Sequence, residues 1–413
     1  MTPTGSPTLP TSPTAPAGYG RLLRTPGARG FVLPGFLARQ PFAMLTISIV
    51  LLVRHTTGSY GAAGATAAVA GTSVALFSPW IGRLADRHGQ RAVLLPDVAV
   101  HVVAALGLTA LATAGAPLWA LLAAAVPAGA TAPQIGPMVR ARWSALLGDG
   151  PLGQTAVAFE SVTDELSFVL GPLLATLLCT SLDPAAGLVA EALLVLVGGL
   201  LFAAQRGTEP PRAERTAATP AGSAWAVPGV RVLVVAFLGV GSVFGGMQVA
   251  LAAYSESIGA PGLNGVFYGV FAAGNMTAAL IMGAVTWRSP PRRRLLAGYT
   301  ALAATASLTW FVSLPGFAAW PPLVGAAGLP AGLCVAPAVV SGFTLAGRLV
   351  PAGARTEAFA WLTGATALGQ AVAVTVAGQL EDRLGTGSGF GVPMGGTVAA
   401  LVVLLALRSR LRP

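Results

Sequence analysis

Three carboxyl groups and one guanidinium sit where an apolar chain tolerates them least. The run AFESVTDELSFVLGPLLATLL places Glu160, Asp164 and Glu165 in the first half of one long apolar stretch, and Arg39 lies inside another. A charge at the centre of a bilayer costs about 2.5–3.5 kcal/mol on insertion scales, so such groups persist where they are paired or where they work. Glu160 and Asp164 are four residues apart and share a helix face, while Glu165 points about 100° away from Asp164. Two carboxyls on one face can hold a proton between them, which makes the pair a candidate proton-coupling site. An ion pair of Arg39 with Asp164 or Glu160 is a second reading. A third leaves Glu160 at the interface, with only Asp164 and Glu165 embedded. In another apolar stretch Asp97 and His101 stand one turn apart, either as a proton relay, since His titrates near neutral pH, or as partners of nearby arginines. Glu191 is a further embedded acid.

The elements that must position these groups are membrane-spanning helices. Of 413 residues, 54% are hydrophobic and only 9% charged, against roughly 25% charged in soluble domains. A helix needs about 20 residues to cross the hydrocarbon. Apolar runs of that length centre on 31–53, 60–81, 93–114, 117–139, 155–180, 185–204, 231–254, 263–286, 295–314, 320–346, 358–380 and 391–407. The expected fold is therefore all-α and integral to the membrane, with twelve transmembrane helices. Residues 1–20, rich in Thr, Pro and Ser, read as a disordered tail. A polar, Pro-rich connection at 205–230 divides the spans into six (21–204) and six (231–407), and 408–413 form a tail.

Arginine placement orients the chain. With the N-terminus inside, Arg54 and Arg383 fall outside, Arg39 falls within the first span, and the other 21 of the 24 basic residues lie on the cytoplasmic side. Arg140 and Arg142 are among those assigned there. All the basic residues are Arg, so a phosphate-binding loop ending G-K-[ST] is impossible and ATP-driven transport by this chain is disfavoured. The formal charge of +10 is spread between apolar spans rather than along one face, which argues against a nucleic-acid partner. Three scattered His and two Cys inside apolar runs give no metal site, disulfide framework or catalytic constellation. No cofactor and no enzymatic activity are expected.

Between spans 2 and 3 stands GRLADRHGQRAVL, with Gly82, Leu84, Asp86, Arg87, Gly89, Arg91 and Leu94 in the pattern G-x-L-x-D-R-x-G-x-R-x-x-L. This resembles the signature loop of the major facilitator superfamily, the secondary transporters, and the resemblance extends over about residues 21–410. It implies two six-helix bundles, alternating access, and a loop that latches one half to the other. By position, Gly82 would permit close helix approach and Asp86 would cap the next helix or pair with an arginine. Arg83, Arg87 and Arg91 would be conformational-switch or topology residues, bridging to acids or helix carbonyls. Gly171-Pro172 resembles the end of the family's antiporter motif in helix 5, with Ser167 where a glycine is usual.

In that family helices 1, 4, 7 and 10 line the substrate path. The matching positions here are Met44, Ser48, Thr131, Gln134, Met247, Gln248, Tyr254 and Ser341, with Cys334, Asn275 and Gln370 as further candidates. Arg39 is the one cation expected in the cavity, which otherwise reads as apolar and poor in aromatics, and this disfavours multiply anionic substrates. Prolines in spans 4 and 10 point to broken or kinked helices beside the site. The function implied is proton-coupled efflux of a small hydrophobic or amphipathic compound by a monomer in the cell membrane, with both termini cytoplasmic. Uptake of a small polar solute, or a non-transporting sensor on the same fold, are the alternatives.

Overall fold

The computed structural model of the chain describes residues 18–148, 150–211, 223–260, 263–287, 289–314 and 320–412. Of the tail expected over 1–20, residues 1–17 lie outside the described residues, as does the middle of the connection, 212–222. Twelve helices are long and apolar enough to cross a membrane, as the run count requires, and among the described residues there is no strand. The protein is a multi-pass membrane protein.

A short α1 (Tyr19–Leu23) precedes the first span, α2 (Ala28–Thr57), so the segment before the bundle is ordered from residue 18 onward. Then come α3 (Tyr60–His88), α4 (Gln90–Thr113), α5 (Leu118–Ala130), α6 (Ile135–Leu147), α7 (Pro151–Ser181) and α8 (Ala186–Ala204). The second bundle holds α9 (Pro228–Ser257), α10 (Leu263–Ala284), α11 (Pro291–Val312), α12 (Pro321–Leu349), α13 (Arg355–Leu384) and α14 (Gly391–Ala406). Most helices overrun their apolar runs by a turn or more, because their ends continue into the polar face. The C-terminal residues 408–411 form a 3-10 turn that buries Leu411 rather than a free tail.

Helix α5 and helix α6 are two halves of the fourth span, broken at Thr131–Gln134. Pro127 and Pro133 remove backbone donors there, and Gln134 holds the break through Ser78 and the Ala132 carbonyl. The tenth span is not broken in the same way. Helix α12 runs unbroken through Pro330 and Pro337, since close packing by its neighbours tolerates the lost hydrogen bonds.

The signature segment is not a loop. Gly82–His88 is the last two turns of α3, Gln90–Leu94 the first turn of α4, and Gly89 alone separates them, at φ 95° and ψ 146°. Only glycine adopts that conformation without strain. The second bundle has one large apolar core, with two small clusters beside it around Met282 and Ala279, whereas the first has two cores of similar size. One packs around Phe31, Met138 and Trp143; the other packs around Leu45, Ile49 and Leu121. Between them on α2 stand Arg39 and Gln40, both buried.

Gly89→Ala is expected to cost about 1–3 kcal/mol, the usual range for a residue forced into a glycine-only conformation. The check is a lower thermal unfolding midpoint of the detergent-purified variant, with Ala85→Gly as a control.

Candidate functional site: a charged belt and a cavity between two bundles

Helix α7 carries all three acids, and its periodicity sends them in two directions. Glu160 accepts from Arg39 Nη2 at 2.5 Å and from Trp143 Nε1 at 2.9 Å. Asp164 pairs with Arg39 Nη1 at 2.9 Å and also with Arg140 on α6. Two guanidiniums thus face two carboxylates, and the set is neutral as a unit. The ion-pair reading is the one the geometry matches, with Arg39 bridging Glu160 and Asp164. Glu165, one residue further round the helix, crosses to the other bundle and accepts from Asn275 Nδ2 at 2.6 Å.

Arg140 corrects the reading that placed it on a cytoplasmic segment. The apolar run ends near 139, but α6 continues to Leu147 and carries both arginines inward. Arg140 is buried, and its guanidinium lies 4.2 Å from the Phe343 ring centre on α12. Arg142 is buried too. It donates to Gln90 Oε1 at 2.8 Å, the Gln205 carbonyl at 2.9 Å and Thr208 Oγ1 at 3.1 Å, and stacks 3.9 Å from Phe202. It ties α4, α6 and the start of the connection together. Sequence reasoning missed both because guanidinium placement depends on which neighbours meet it.

A cavity of about 130 Å³ opens between the bundles over this belt. Its polar edge is Arg39, Arg140, Asp164 and Glu165; the Asp164 side chain is 28% exposed while the two guanidiniums are 7% and 2% exposed. Aromatic rings from both bundles complete the lining: Phe42 on α2 and Phe168 on α7, with Phe237 and Phe244 on α9 and Phe343 on α12. A cavity poor in aromatics and with one cation is therefore not what the fold builds. Of the expected path residues Gln134 lines it, together with Asn275 and Gln370. Met44, Ser48, Met247, Tyr254 and Ser341 are buried in the bundle interiors; Thr131 bonds back to Pro127, and Gln248 is exposed on another face. These helices are apolar or small on every side, so the sequence pattern did not show which face meets the cavity. Helices α7, α10 and α13 also contribute lining, beyond the four expected spans.

His101 finds Glu191 on α8 at 2.8 Å rather than the arginines of the signature segment. Ser167, at the position where the antiporter motif has glycine, accepts from Gln40 Nε2 at 2.9 Å. Gly171 keeps the close approach: a Cβ there would meet Ala43 Cβ at 2.6 Å.

Polar contacts between the bundles gather on the face that carries most of the arginines. Asp86 caps α13 across the bundle divide, not the next helix, accepting from the Thr356 and Glu357 amides at 3.2 and 2.8 Å. Arg83 Nε lies 3.9 Å from Glu357, whose other oxygen accepts from Ser223 at 2.5 Å. A Cβ at Gly82 would meet Ala360 Cβ and the Thr356 carbonyl at 3.0 Å, so α3 and α13 touch through this glycine. Arg355 reaches Ser144 Oγ at 2.7 Å, and Arg294 reaches Gln154 at 2.9 Å. The Tyr19 hydroxyl donates toward the Ala279 and Leu280 carbonyls of α10 at 3.1 and 3.0 Å; burial pushes its phenol up to about 12, so it stays a donor. Among the described residues Arg87 and Arg91 make no ion pair, and Arg91 contributes its backbone amide to Glu209 at 3.1 Å. The latch therefore rests on Asp86, Arg83 and the α13 N-terminus.

Two bundles in contact on one face and parted by a central cavity are the architecture of a secondary membrane transporter. The sequence profile of the Major Facilitator Superfamily matches residues 32–325, and the chain belongs to that superfamily, whose members here are transporters rather than enzymes. A bacterial homologue of the iron transporter ferroportin, solved in an outward-facing state, superposes with a TM-score of 0.74 at 17% identity, covering 92% of this chain and 99% of its own. The human organic anion transporter MFSD10 (TETRAN) gives 0.68 at 18% identity over 92% and 99%. A variant of the E. coli fucose:proton symporter FucP gives 0.64 at 12% identity over 93% and 100%. None of the curated protein sequences matches significantly.

Two outcomes follow. Arg39→Met leaves two buried carboxylates short of a partner and is expected to destabilise the purified protein by about 3–5 kcal/mol; adding Glu160→Gln recovers part of the lost thermal midpoint. Asp86→Asn weakens the charged cap by about 1 kcal/mol, some five-fold in population. Alkylation of Thr344→Cys, between the bundles on the latched face, is then expected to speed up by that factor in a chain lacking Cys179 and Cys334.

Proposed function

We propose that the protein is a proton-coupled secondary transporter that exports a small amphipathic compound by alternating access, working as a single chain in the cell membrane. The observation that carries this reading is the cavity itself: five aromatic rings and two carboxyls, Asp164 and Glu165, line one space at the boundary between two bundles latched on one side. Aromatic rings accommodate an apolar body, and a few convergent polar groups orient its head. Carboxyls in contact with the same space give a proton a site that substrate binding can contest. Arginine bias makes the latched face cytoplasmic, with both termini there, so the state described is outward-facing. Export is favoured by the close α2–α7 approach at Gly171, which keeps the end of the antiporter motif. Glu160 and Arg39 belong to the framework of the site, and Asp164 and Glu165 to its working edge. Arg83, Asp86 and Gly82 act as the switch.

The test is transport by proteoliposomes across an imposed pH gradient, with a panel of lipophilic ions and neutral amphipathic dyes as probes. At least one probe is expected to move against the proton gradient, with the rate reduced tenfold or more in Asp164→Asn and Glu165→Gln. Transport indifferent to the gradient and unchanged in both variants overturns proton coupling. Movement of probe in the same direction as the proton overturns export.

A further inference from the structure

Among the described residues, Glu165 is the carboxyl of the cavity edge without a guanidinium partner. Asp164 is paired by Arg39 and Arg140, and Glu160 by Arg39. The partner of Glu165 is neutral and belongs to the other bundle: Asn275 of α10, at 2.6 Å. Asn275 is itself buried and rigidly placed. Helices α10 and α12 pack so closely beside it that a Cβ on Gly332 would fall 2.0 Å from the Phe271 carbonyl and 3.0 Å from the Asn275 amide nitrogen, and one on Gly274 would fall 2.5 Å from the Leu329 carbonyl. The amide is thus fixed to the second bundle and the carboxyl to the first. The bond between them spans the cavity at mid-membrane, away from the latched face.

We propose that Asn275 is a positioning residue that transmits the protonation of Glu165 to the seam between the bundles. An ionised Glu165 accepts a charge-assisted hydrogen bond from Asn275, about twice as strong as a neutral one. A proton on Glu165 leaves only a neutral contact. Proton occupancy therefore changes the strength of an inter-bundle tie directly, with no intermediate relay. The charged or titratable groups around Glu165 are few. They are Asp164 on its own helix, Arg39 on α2, Arg140 on α6 and Tyr268 on α10. Helices α9, α12 and α13 face the cavity with aromatic, aliphatic, hydroxyl and amide side chains. The first three groups are paired with one another, so Glu165 is the carboxyl of the cavity edge whose charge can change without breaking an ion pair. This inference rests on the proton-coupling reading and assigns it a partner residue.

The experiment uses the full chain in lipid nanodiscs without substrate, with Cys179→Ser and Cys334→Ser. Spin labels are placed at His55→Cys and Glu256→Cys, both exposed near the ends of α2 and α9 on the face opposite the latch. The inter-bundle distance distribution is followed from pH 5 to 9. Two populations are expected to exchange with pH in the otherwise native chain. Asn275→Ala is expected to move the midpoint about one unit to higher pH, because a lost donor to the ionised carboxylate favours the protonated form tenfold. Asn275→Gln should restore most of that shift. In a Glu165→Gln background the pH response should vanish, and Asn275→Ala should then alter the populations less than two-fold. If Asn275→Ala changes the populations equally at every pH, or equally in both backgrounds, its role is packing and the inference fails while Glu165 keeps its assignment. If Glu165→Gln leaves the pH response intact, the assignment of Glu165 as a proton site fails as well.

Discussion

A charge carried into hydrocarbon must be neutralised by what lies within a few ångströms of it, because no water is there to do so. Arg39 meets this requirement by facing two carboxylates one helical turn apart, and Asp164 meets it with a second guanidinium from α6. Each member of the belt is needed by another. That mutual dependence sets the rotation of α2, α6 and α7 about their own axes more tightly than apolar packing can, since an apolar helix can turn by a residue at small cost and a paired guanidinium cannot. The two separate apolar cores of the first bundle follow from the same fact, as the belt occupies the level between them.

The second bundle is built differently. It has one large core, and it supplies the cavity with Phe237, Phe244 and Phe343 and the amides Asn275 and Gln370. The charged groups lining the cavity therefore come from the first bundle, while rings come from both. The bundles contact each other there through a cation over a ring, Arg140 on Phe343, and through one carboxyl–amide bond. Parting the first leaves Arg140 still paired with Asp164, whereas parting the second takes from Glu165 its one hydrogen-bond donor among the described residues. The chemistry of the cavity is divided between the two halves rather than repeated.

The span count, the division into six and six and the position of the signature segment were legible because length, hydropathy and a spaced set of Gly, Asp and Arg are properties of the chain itself. The pairing of Arg39 with acids on α7 was also within reach, since a lone embedded cation leaves few choices. The inward turn of Arg140 was not. Its apolar run stops before it, and only the continuation of α6 past the run and the presence of Asp164 opposite draw it in. Most of the expected path residues face bundle interiors for a related reason: on helices such as α9, small and apolar residues occur all round, and the cavity face is chosen by neighbours from distant parts of the sequence. Glu165 was visible as an embedded acid, but a partner 110 positions away on α10 left no local trace. The reach of Asp86 to α13 rather than to α4 is the same kind of case, a cap supplied across 270 residues.

The latch and the cavity bond act on the same pair of rigid bodies at different heights. On the latched face the Asp86 cap, the Arg83–Glu357 approach, the Arg355–Ser144 and Arg294–Gln154 bonds and the Tyr19 hydroxyl each contribute on the order of 1 kcal/mol or less. Together they amount to a few kcal/mol, whereas moving a two-state equilibrium from 1:99 to 99:1 takes about 5.5 kcal/mol. A latch of that strength holds one face closed without locking it. A change of similar size at mid-membrane, where a lower dielectric makes a gained or lost charge count for more, is enough to reverse the preference. Strong single bonds on the latched face would hold the bundles fast; many weak ones let them part at modest cost.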